Sequence, residues 1–312
     1  MDVIHFPDDV RPARWVNPVL ALGNFDGLHR GHIKILDRVK RRSAERLGTS
    51  VVMTFDPHPP RVVRPDKAPP LLMTKAQRLE ALEQAGVQGA AVVRFTSELS
   101  RWEPETFVRT VLIEWLRVAE VWVGANFLFG RERTGNFTLL RSLGARYGFR
   151  AEKIDPVRYK DFVVSSTRIR RLVGEGRVDE AGSLLGRQYS IDGVVVEGAQ
   201  RGAALGFPTA NLHTENELIP PNGVYATTVT LDGVIHPSVT NIGVRPTFAD
   251  GTPPVIETHL IGFDRDLYGA RLRLGFVQRI RDERAFESVD MLRSQIQLDV
   301  QRTHALFDRM SL

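Results

Sequence analysis

The stretch G-N-F-D-G-L-H-R-G-H, residues 23–32, decides the interpretation of the first half of this chain. A short apolar run precedes it at 18–22, and a helical pattern follows it. A strand that turns through glycines into a helix leaves backbone N–H groups without intrahelical partners, and these groups and the helix dipole favour an anion. His29 and His32 are three residues apart, so they share a face of the first helical turn. The stretch therefore predicts a site that holds a polyphosphate and stabilises charge developing on it.

An H-x-x-H pair has two other interpretations when it stands alone, namely half of a transition-metal site or two surface histidines. Here the pair follows a predicted strand, a glycine turn and Asp26, and it begins a predicted helix. This context favours phosphate chemistry over both alternatives.

Short apolar runs alternate with helical segments from residue 19 to residue 157. Helices are expected at about 30–47, at 74–86 after a capping-box spacing, and at 104–117, where Val108, Val111, Leu112 and Trp115 would be buried. Strands are expected at 18–24, 50–55, 88–95, 119–124 and, more weakly, 149–154. This alternation predicts a Rossmann-like parallel α/β sheet whose ligands bind beyond the carboxyl ends of its strands.

The segment 58–73 contains five prolines, which block both ladder and helix hydrogen bonds. We therefore expect a long loop after the second strand. The loop is either a mobile flap at the ligand edge or a surface excursion, and the sequence does not separate the two.

The pattern of apolar, Gly and Pro residues changes after Gly186. Two short helices are expected within 165–186, and the rest is rich in short β-like runs separated by Gly and Pro. Strands are expected at Ile191–Val196, Gly223–Leu231, Ser238–Ile242, Val255–Ile261 and Arg271–Ile280. A closing helix is expected at 285–308, with Phe286, Val289, Leu292, Ile296 and Val300 on one face. The pattern predicts an antiparallel sandwich or small barrel and two domains, 1–186 and 187–312.

Composition excludes several classes of function. The chain of 312 residues has no cysteine, so disulfides, thiolate chemistry and Cys-type zinc sites are excluded. A net charge of +5 suits small anionic substrates but is too mild and dispersed for a nucleic-acid partner, and the basic run 40–42 fits a solvated helix face. No secretory signal or membrane-spanning run is recognisable, so a cytoplasmic location is expected.

Three further motifs are expected at the same sheet edge. T-F-D-P-H-P at 54–59 places Asp56 and His58 there, or forms only a capped turn. V-G-A-N-F-L-F-G-R-E-R-T-G at 123–135 has an asparagine able to bind a heteroaromatic edge, and its phenylalanines either pack a ligand ring or belong to the core. S-S-T-R-I-R at 165–170 suits the β- and γ-phosphates of a nucleotide, or is an N-capped helix with a solvated basic face.

In this order, the four motifs resemble the adenylyltransferase half of bacterial bifunctional riboflavin kinase/FMN adenylyltransferases, the FAD synthetases. The resemblance extends over about 18–300, because the second half is similar to the kinase of the same family. The similar stretches there are G-F-P-T-A-N at 206–211, G-V-Y-A at 223–226, T-N-I-G-V-R-P-T-F at 240–248, E-T-H-L at 257–260 and L-Y-G at 267–269.

The resemblance implies two reactions, phosphorylation of riboflavin to FMN by ATP and adenylylation of FMN to FAD with release of pyrophosphate. For the adenylyltransferase it implies catalytic His29 and His32. It implies an ATP site comprising Gly23, Phe25, Asp26, His29, His32, Ser165, Ser166, Thr167 and Arg168. It implies a flavin site comprising His58, Asn126 and Phe127.

For the second half the resemblance implies a six-stranded Greek-key barrel with a C-terminal helix. The kinase ATP site would comprise Gly206, Pro208, Thr209 and Asn211. Thr209 and Asn211 would bind Mg2+ with the oxygen ligands that this ion prefers. Glu257 would be the catalytic base that takes the proton from the attacking ribityl hydroxyl.

The residues of the second half support parts of this independently. The glycine-rich run 198–206 either wraps a phosphate with backbone N–H groups or is a hairpin turn. Glu257 and His259 have the same parity on a β-like run and so share a face. An inward Glu257 would be costly without a role, whereas an outward one would simply face solvent.

The chain departs from the family pattern at three positions. Ala203 and Glu197 stand where relatives often have a basic residue and a histidine, and Asn126 stands where many have aspartate. The first two changes remove positive charge near the kinase phosphates. The alternatives are therefore a monofunctional adenylyltransferase with an impaired kinase, and a flavin-binding protein without turnover. The expected partners are ATP, riboflavin, FMN and FAD, with no nucleic acid or membrane and an undetermined oligomeric state.

Overall fold

A computed structural model describes residues 1–198, 202, 205–243 and 254–310. The chain forms two compact units, Met1–Ser166 and Thr167–Leu312, and each is described by itself below. The domain boundary near residue 186 stays a prediction. Among the described residues, no helix is both long and apolar enough to cross a membrane.

The first unit is built on a six-stranded parallel sheet in the order β1-β4-β3-β2-β5-β8. The strands of the unit are β1 (Asp2–Phe6), β2 (Val19–Leu22), β3 (Ser50–Asp56), β4 (Gly89–Arg94), β5 (Glu120–Gly124), β6 (Leu128–Phe129), β7 (Gly135–Asn136), β8 (Arg150–Ile154), β9 (Arg158–Tyr159) and β10 (Phe162–Val163). Five strands of this sheet lie where the apolar runs predict them, and the Rossmann-like fold is confirmed. The sequence did not reveal β1, which pairs with β4 at the edge of the sheet.

The helices of this unit are α1 (Arg30–Glu45), α2 (Pro59–Val63), α3 (Lys75–Gln84), α4 (Pro104–Phe107) and α5 (Phe137–Tyr147), with a π-helix at Val108–Trp115 that continues α4. Three of the helices lie where the sequence predicts them, namely α1, α3 and α4 with its continuation, whereas α2 and α5 were not predicted. The capping box before α3 is present, because Thr74 and Gln77 exchange hydrogen bonds between side chain and backbone. On the third predicted helix Trp115 is only partly buried, since its indole Nε1 donates to the carbonyl of Asp9 at 2.7 Å.

The prediction of a continuous loop at 58–73 is wrong in part. The segment contains the helix α2 and a 3-10 turn at Pro65–Lys67. Pro59 and Pro60 occupy the first turn of α2, where a missing N–H costs nothing because that group has no intrahelical acceptor anyway. Prolines at the start of a helix are compatible with helical structure, so the five prolines of this segment do not exclude a helix within it.

Side chains of β2 alternate between the two faces of the sheet, and both faces are covered. Leu20 and Leu22 join one apolar cluster, whereas Val19 and Ala21 join the other. All four are at most 2% exposed. The strand that precedes the G-N-F-D turn is thus fixed from both sides, which is why it reads as a continuous apolar run.

A buried ion pair ties α1 to the start of β5. The Glu120 carboxylate is 0% exposed and accepts two hydrogen bonds from Arg42, at 3.0 and 2.9 Å, and one from Trp122 at 2.7 Å. Burial opposes ionisation, but these bonds and the charges of Arg42 and Arg46 outweigh it and hold the pKa of Glu120 below its usual value. The pair therefore stabilises the fold above the ordinary glutamate pKa, and this contribution is lost as the pH falls through the lowered value.

Glu120→Gln is expected to destabilise the first unit by about 3 kcal/mol, because it leaves Arg42 without its buried carboxylate. Urea unfolding followed by tryptophan fluorescence measures the effect, since all four tryptophans, at 15, 102, 115 and 122, lie in this unit. Glu45→Gln removes the exposed partner of the same arginine and should cost less than about 1 kcal/mol. Equal effects of the two substitutions would contradict this account of the pair.

The second unit is a closed barrel in the order β11-β12-β15-β14-β13-β16. Its elements are α6 (Ser166–Gly174), which starts at the last residue of the first unit, α7 (Val178–Leu185), β11 (Tyr189–Val196), β12 (Ala210–Thr214), β13 (Gly223–Leu231), β14 (Val234–Gly243), β15 (Val255–Leu260), β16 (Arg271–Arg281) and α8 (Val289–Met310). All the strand pairs of the barrel are antiparallel, and α7 packs against β11 and β16. The six-stranded barrel with a terminal helix is confirmed.

Two details of this unit correct the sequence-based expectation. Strand β12 was not predicted, because its five residues, A-N-L-H-T, are too polar to form an apolar run. Helix α8 starts at Val289, so Phe286 precedes it, and Val289 itself is 65% exposed. The buried stripe of α8 contains two polar residues, because the Asp299 carboxylate pairs with Arg281 on β16 and Thr303 lies one turn further on.

Candidate active sites

The G-N-F-D-G-L-H turn connects β2 to α1 through left-handed backbone at Phe25, Gly27 and Leu28, with φ values of 51°, 84° and 36°. Gly23 begins the turn and donates its N–H to the Met53 carbonyl of the neighbouring strand at 3.2 Å. Phe25 is 1% exposed, and its ring centroid is 5.0 Å from that of His32. It is therefore a core residue that packs against the histidine ring.

His29 and His32 form a stacked pair at the start of α1. Their ring centroids are 3.7 Å apart and the rings are within 10° of parallel. His29 is the N-cap of the helix, and its Nδ1 accepts the N–H of His32 at 3.3 Å. A neutral ring whose Nδ1 accepts has its proton on Nε2, the tautomer that donates to an acceptor such as a phosphate oxygen. The pair has the geometry that the first motif predicts.

Asp26 is 2% exposed and connects the turn to two other segments. Its carboxylate accepts the backbone N–H groups of Leu72, at 3.1 Å, and Met73, at 3.2 Å. Its carbonyl accepts the hydroxyl of Ser166 at 2.9 Å. One residue thus joins the first motif, the end of the 58–73 segment and the S-S-T-R motif.

The T-F-D-P-H-P motif lies beside the first motif, because β2 and β3 are neighbouring parallel strands with Leu22 opposite Met53. The Thr54 hydroxyl donates to the Asn24 carbonyl at 2.9 Å, and Asp56 pairs with Lys75 at 3.1 Å. His58 is 7% exposed and directly precedes α2. The structure therefore brings the two histidine-bearing strand ends to one edge, as expected.

Two of the residues predicted to hold flavin, Asn126 and Phe127, follow β5, on the other side of β2. Asn126 is exposed, whereas Phe127 is partly buried and stacks on Phe129 with centroids 5.3 Å apart. Phe127 thus packs against the core through one face.

The S-S-T-R motif occupies the start of α6. Ser165 and Ser166 belong to the first unit and are partly buried. Thr167 and Arg168 begin the second unit, and Thr167 is exposed.

In the second unit the described glycines of the glycine-rich run lie against the P-T-A-N side chains. A Cβ on Gly198 would be 2.0 Å from the Asn211 amide nitrogen, and a Cβ on Gly202 would be 3.0 Å from the Thr209 hydroxyl. Asn211 is only 8% exposed beneath this cover. The backbone therefore approaches both polar side chains as closely as a glycine permits. Ala203 lies outside the described residues.

Glu257 is paired directly with Asn211 across β12 and β15, so the two side chains share a face of the barrel wall. Ile256, Thr258 and Leu260 are buried in the barrel, whereas Glu257 is partly exposed. Glu257 therefore points away from the interior, towards the face on which Asn211 lies beneath Gly198. This excludes the inward orientation that the sequence left open.

His259 lies on the same face as Glu257, and its Nδ1 is 2.8 Å from the Pro208 carbonyl. Gly206 has a φ of +84° and turns the chain towards Pro208. The contact anchors the P-T-A-N segment to the strand that contains Glu257.

Comparison with known proteins matches each half of the chain to a known family. A family model for FAD synthetase matches residues 12–168, and one for riboflavin kinase matches residues 185–307. The bifunctional riboflavin kinase/FMN adenylyltransferase of Pseudomonas fluorescens is 38% identical over 92% of each chain, and that of Bacillus subtilis is 34% identical over 99% of each chain.

The chain belongs to the bifunctional riboflavin kinase/FMN adenylyltransferase family. The resemblance drawn from the motifs is thereby confirmed. A crystal structure described as a macrolide-efflux protein from Streptococcus pneumoniae has the same fold, with a TM-score of 0.89 at 28% identity over 97% of this chain and 99% of that chain.

Two residues of this family member were not predicted as site residues. Asn241 lies in the T-N-I-G-V-R-P-T-F stretch, and the strand register shows that it faces Glu257 from β14, on the side opposite Asn211. Arg78 is 5% exposed on α3 and reaches the ends of both β2 and β3. A basic residue four positions after a helix N-cap is ordinarily a surface residue, so its burial could not be predicted.

Metal binding in this family member is restricted by its donor groups. Among the residues that the structure describes, no group of three His, Asp or Glu side chains could hold a metal ion. The Thr209 hydroxyl and the Asn211 amide oxygen are hard oxygen donors, and both lie against the glycine-rich backbone. This donor set fits a magnesium ion that retains water and phosphate ligands.

Proposed function

We propose that this chain makes FAD in two steps at two separate sites, using ATP in both. The second unit phosphorylates riboflavin to FMN, and the first unit adenylylates FMN and releases pyrophosphate. The observation that supports this best is that each unit has its own set of polar groups. The stacked histidines cap α1 in one unit, and Asn211 and Glu257 are paired in the other.

In the first unit the FMN phosphate attacks the α-phosphorus of ATP, and the bond to pyrophosphate breaks. Negative charge grows on the phosphoryl oxygens and on the leaving pyrophosphate. The Nε2 groups of His29 and His32 stabilise this charge beside the amides at the start of α1. Catalysis is then positioning and electrostatics, as for phosphoryl transfer in general.

The remainder of the proposed ATP site comes from the turn before α1 and from the S-S-T-R motif. Gly23 and Phe25 shape the turn, and Ser165, Ser166, Thr167 and Arg168 bind the triphosphate end. The Asp26 carboxylate accepts two backbone N–H groups, so it serves the site by fixing the segments that surround the nucleotide. A carboxylate aimed at a phosphate would repel it.

His58, Asn126 and Phe127 form the proposed flavin site. Asn126 follows β5 and is exposed, so its amide is accessible to the edge of a flavin ring. Phe127 offers the face that is not stacked on Phe129.

In the second unit the ribityl hydroxyl of riboflavin attacks the γ-phosphorus of ATP. Glu257 takes the hydroxyl proton, and ADP leaves. Gly206 and Pro208 shape the ATP site, and Thr209 and Asn211 hold the magnesium ion that neutralises phosphate charge when it is bound. Asn241 and Asn211 flank Glu257 on the same face and restrict its orientation.

Gly198→Ala is expected to reduce riboflavin kinase activity about tenfold or more, because the new methyl would overlap the Asn211 amide and displace it. The rate of FAD formation from supplied FMN should not change. Gly174→Ala is the matched control, since a Cβ there meets no atom within 4 Å. Wild-type kinase activity in the Gly198 variant would contradict the placement of Asn211 in the ATP site.

A monofunctional adenylyltransferase is the second candidate, because the exposed Glu197 directly follows β11, where its charge would repel the phosphates at the proposed kinase site. Incubation with riboflavin, ATP and magnesium separates the two functions. Production of FAD, ADP and pyrophosphate from riboflavin and ATP supports the bifunctional enzyme, whereas FAD formation only when FMN is supplied together with ATP supports the second candidate. A protein that binds flavin without turnover would form no product in either incubation.

We further propose a cytoplasmic location and a functional division near residue 186. The absence of cysteine suits a reducing compartment.

A further inference from the structure

Arg78 is a buried cation behind the adenylyltransferase site that none of the proposed roles uses. It lies in the first turns of α3 and is 5% exposed. Its Nη1 donates to the Asn24 carbonyl and its Nη2 donates to the Phe55 carbonyl, both at 3.3 Å. Asn24 belongs to the G-N-F-D turn and Phe55 to the T-F-D-P segment. One guanidinium therefore bridges the two strand ends that precede His29 and His58.

Neighbouring contacts strengthen this bridge. The Asn24 carbonyl also accepts the Thr54 hydroxyl at 2.9 Å, so donors from β3 and α3 converge on one oxygen of the first motif. On the adjoining side Lys75, one turn before Arg78 on α3, pairs with Asp56 at 3.1 Å. The start of α3 thus contacts both motifs through charged side chains.

The arrangement is expensive for a purely structural contact. Nε of Arg78 is buried and has no hydrogen-bond acceptor among the residues that the structure describes. Burial lowers the pKa of the guanidinium, although the carboxylates of Asp26 and Asp56 partly offset this. A buried charge with incomplete hydrogen bonding costs several kcal/mol relative to an apolar side chain. An apolar residue would fill the same space without that cost, so the cation indicates a functional requirement.

We propose that Arg78 is a positioning residue of the adenylyl-transfer site. It fixes the separation of the G-N-F-D turn and the T-F-D-P segment, so that the stacked histidines and His58 face the same ligand. Its charge also adds a fixed positive potential behind the polyphosphate. This inference rests on the proposed function of the first unit, and it predicts an effect on turnover rather than on ligand affinity.

The test compares Arg78→Met, Arg78→Lys and the control Arg141→Met, which removes an exposed arginine from α5 of the same unit. Arg78→Met is expected to lower kcat for FAD formation about 100-fold, as a misplacement of about 1 Å would. KM for ATP and for FMN should change less than about threefold, since Arg78 is buried and acts in this proposal through the two segments that it bridges. Arg78→Lys keeps the positive charge but loses the guanidinium fork that reaches both carbonyls, so it should restore kcat only in part, to within about tenfold of the wild type.

Two readouts on the same samples show that each unit is folded. Tryptophan emission reports only on the first unit, which contains all four tryptophans, and riboflavin kinase activity reports on the second. Both should match the wild type in all three variants. If Arg78→Met disturbs the emission, the lysine variant decides alone, and a kcat lowered by about three- to tenfold in a folded protein with unchanged KM is then the expected result.

Three results would overturn the inference: wild-type kcat in Arg78→Met, a rise in KM without a fall in kcat, or no recovery in a folded Arg78→Lys variant. Failure of the proposed function looks different. In that case the wild-type protein itself would form no FAD from FMN and ATP.

Discussion

His29→Ala is expected to abolish FAD formation from FMN while FMN formation from riboflavin continues at the wild-type rate. The substitution removes the Nε2 donor nearest the start of α1. Loss of one preorganised donor to a developing oxyanion typically costs about 100- to 1,000-fold in kcat. The substitution also removes the N-cap acceptor of α1 and the ring that stacks on His32, so the second histidine loses its support. The combined effect should exceed 1,000-fold or so.

The measurement is the initial rate of FAD formation from FMN and ATP, with tryptophan emission as the test of folding. Loss of the helix cap costs only about 1 kcal/mol, so the first unit should remain folded. His5→Ala is the matched control, because His5 is a partly exposed histidine of the same unit that pairs only with Asp9 at the surface. A folded His29 variant with more than a tenth of the wild-type rate would contradict the role given to the pair.

Glu257→Ala is expected to have the converse effect on the two reactions. Without a base for the ribityl hydroxyl, riboflavin phosphorylation should fall about 100- to 10,000-fold. FAD formation from supplied FMN should be unchanged, since that reaction occurs in the other unit. Glu257→Gln keeps the shape of the side chain and should be equally inactive, which separates proton transfer from packing.

The control for Glu257 is Glu215→Ala, which removes an exposed carboxylate from the turn after β12. Its kinase activity should equal that of the wild type. If a folded Glu257 variant, or a folded His29 variant, loses both reactions together, the assignment of one reaction to each unit is wrong.

The secondary-structure elements that form the two sites could be predicted from the sequence only where a local pattern marks them. The strand before the first motif was predictable, since Leu20 and Val19 pack against opposite faces and leave a continuous apolar run. The capping box at Thr74 predicted where α3 starts. Strand β12 could not be predicted in this way, because three of its five residues, Asn211, His213 and Thr214, are polar and interrupt the apolar pattern.

Other features depend on tertiary contacts that no local pattern encodes. The resemblance places Phe25 in the ATP site, and no local pattern indicated that its ring would be buried in the core behind a left-handed turn. Arg78 bridges Asn24 and Phe55, which precede it in the sequence by 54 and 23 positions, respectively. The hydrogen bonds from the Leu72 backbone N–H to the Asp26 carboxylate likewise depend on how the 58–73 segment folds back onto the turn, which no local sequence pattern predicts.

The two-step claim is tested most directly by a time course with riboflavin, ATP and magnesium, in which the flavins are resolved by chromatography. The account predicts that FMN accumulates first and that FAD follows, with one ADP formed per FMN and one pyrophosphate per FAD. In the Glu257→Ala variant, riboflavin should yield almost no FMN or FAD, and FAD should form once FMN is supplied. Failure of the wild-type protein to convert riboflavin, or an arrest at FMN with ATP in excess, would contradict it.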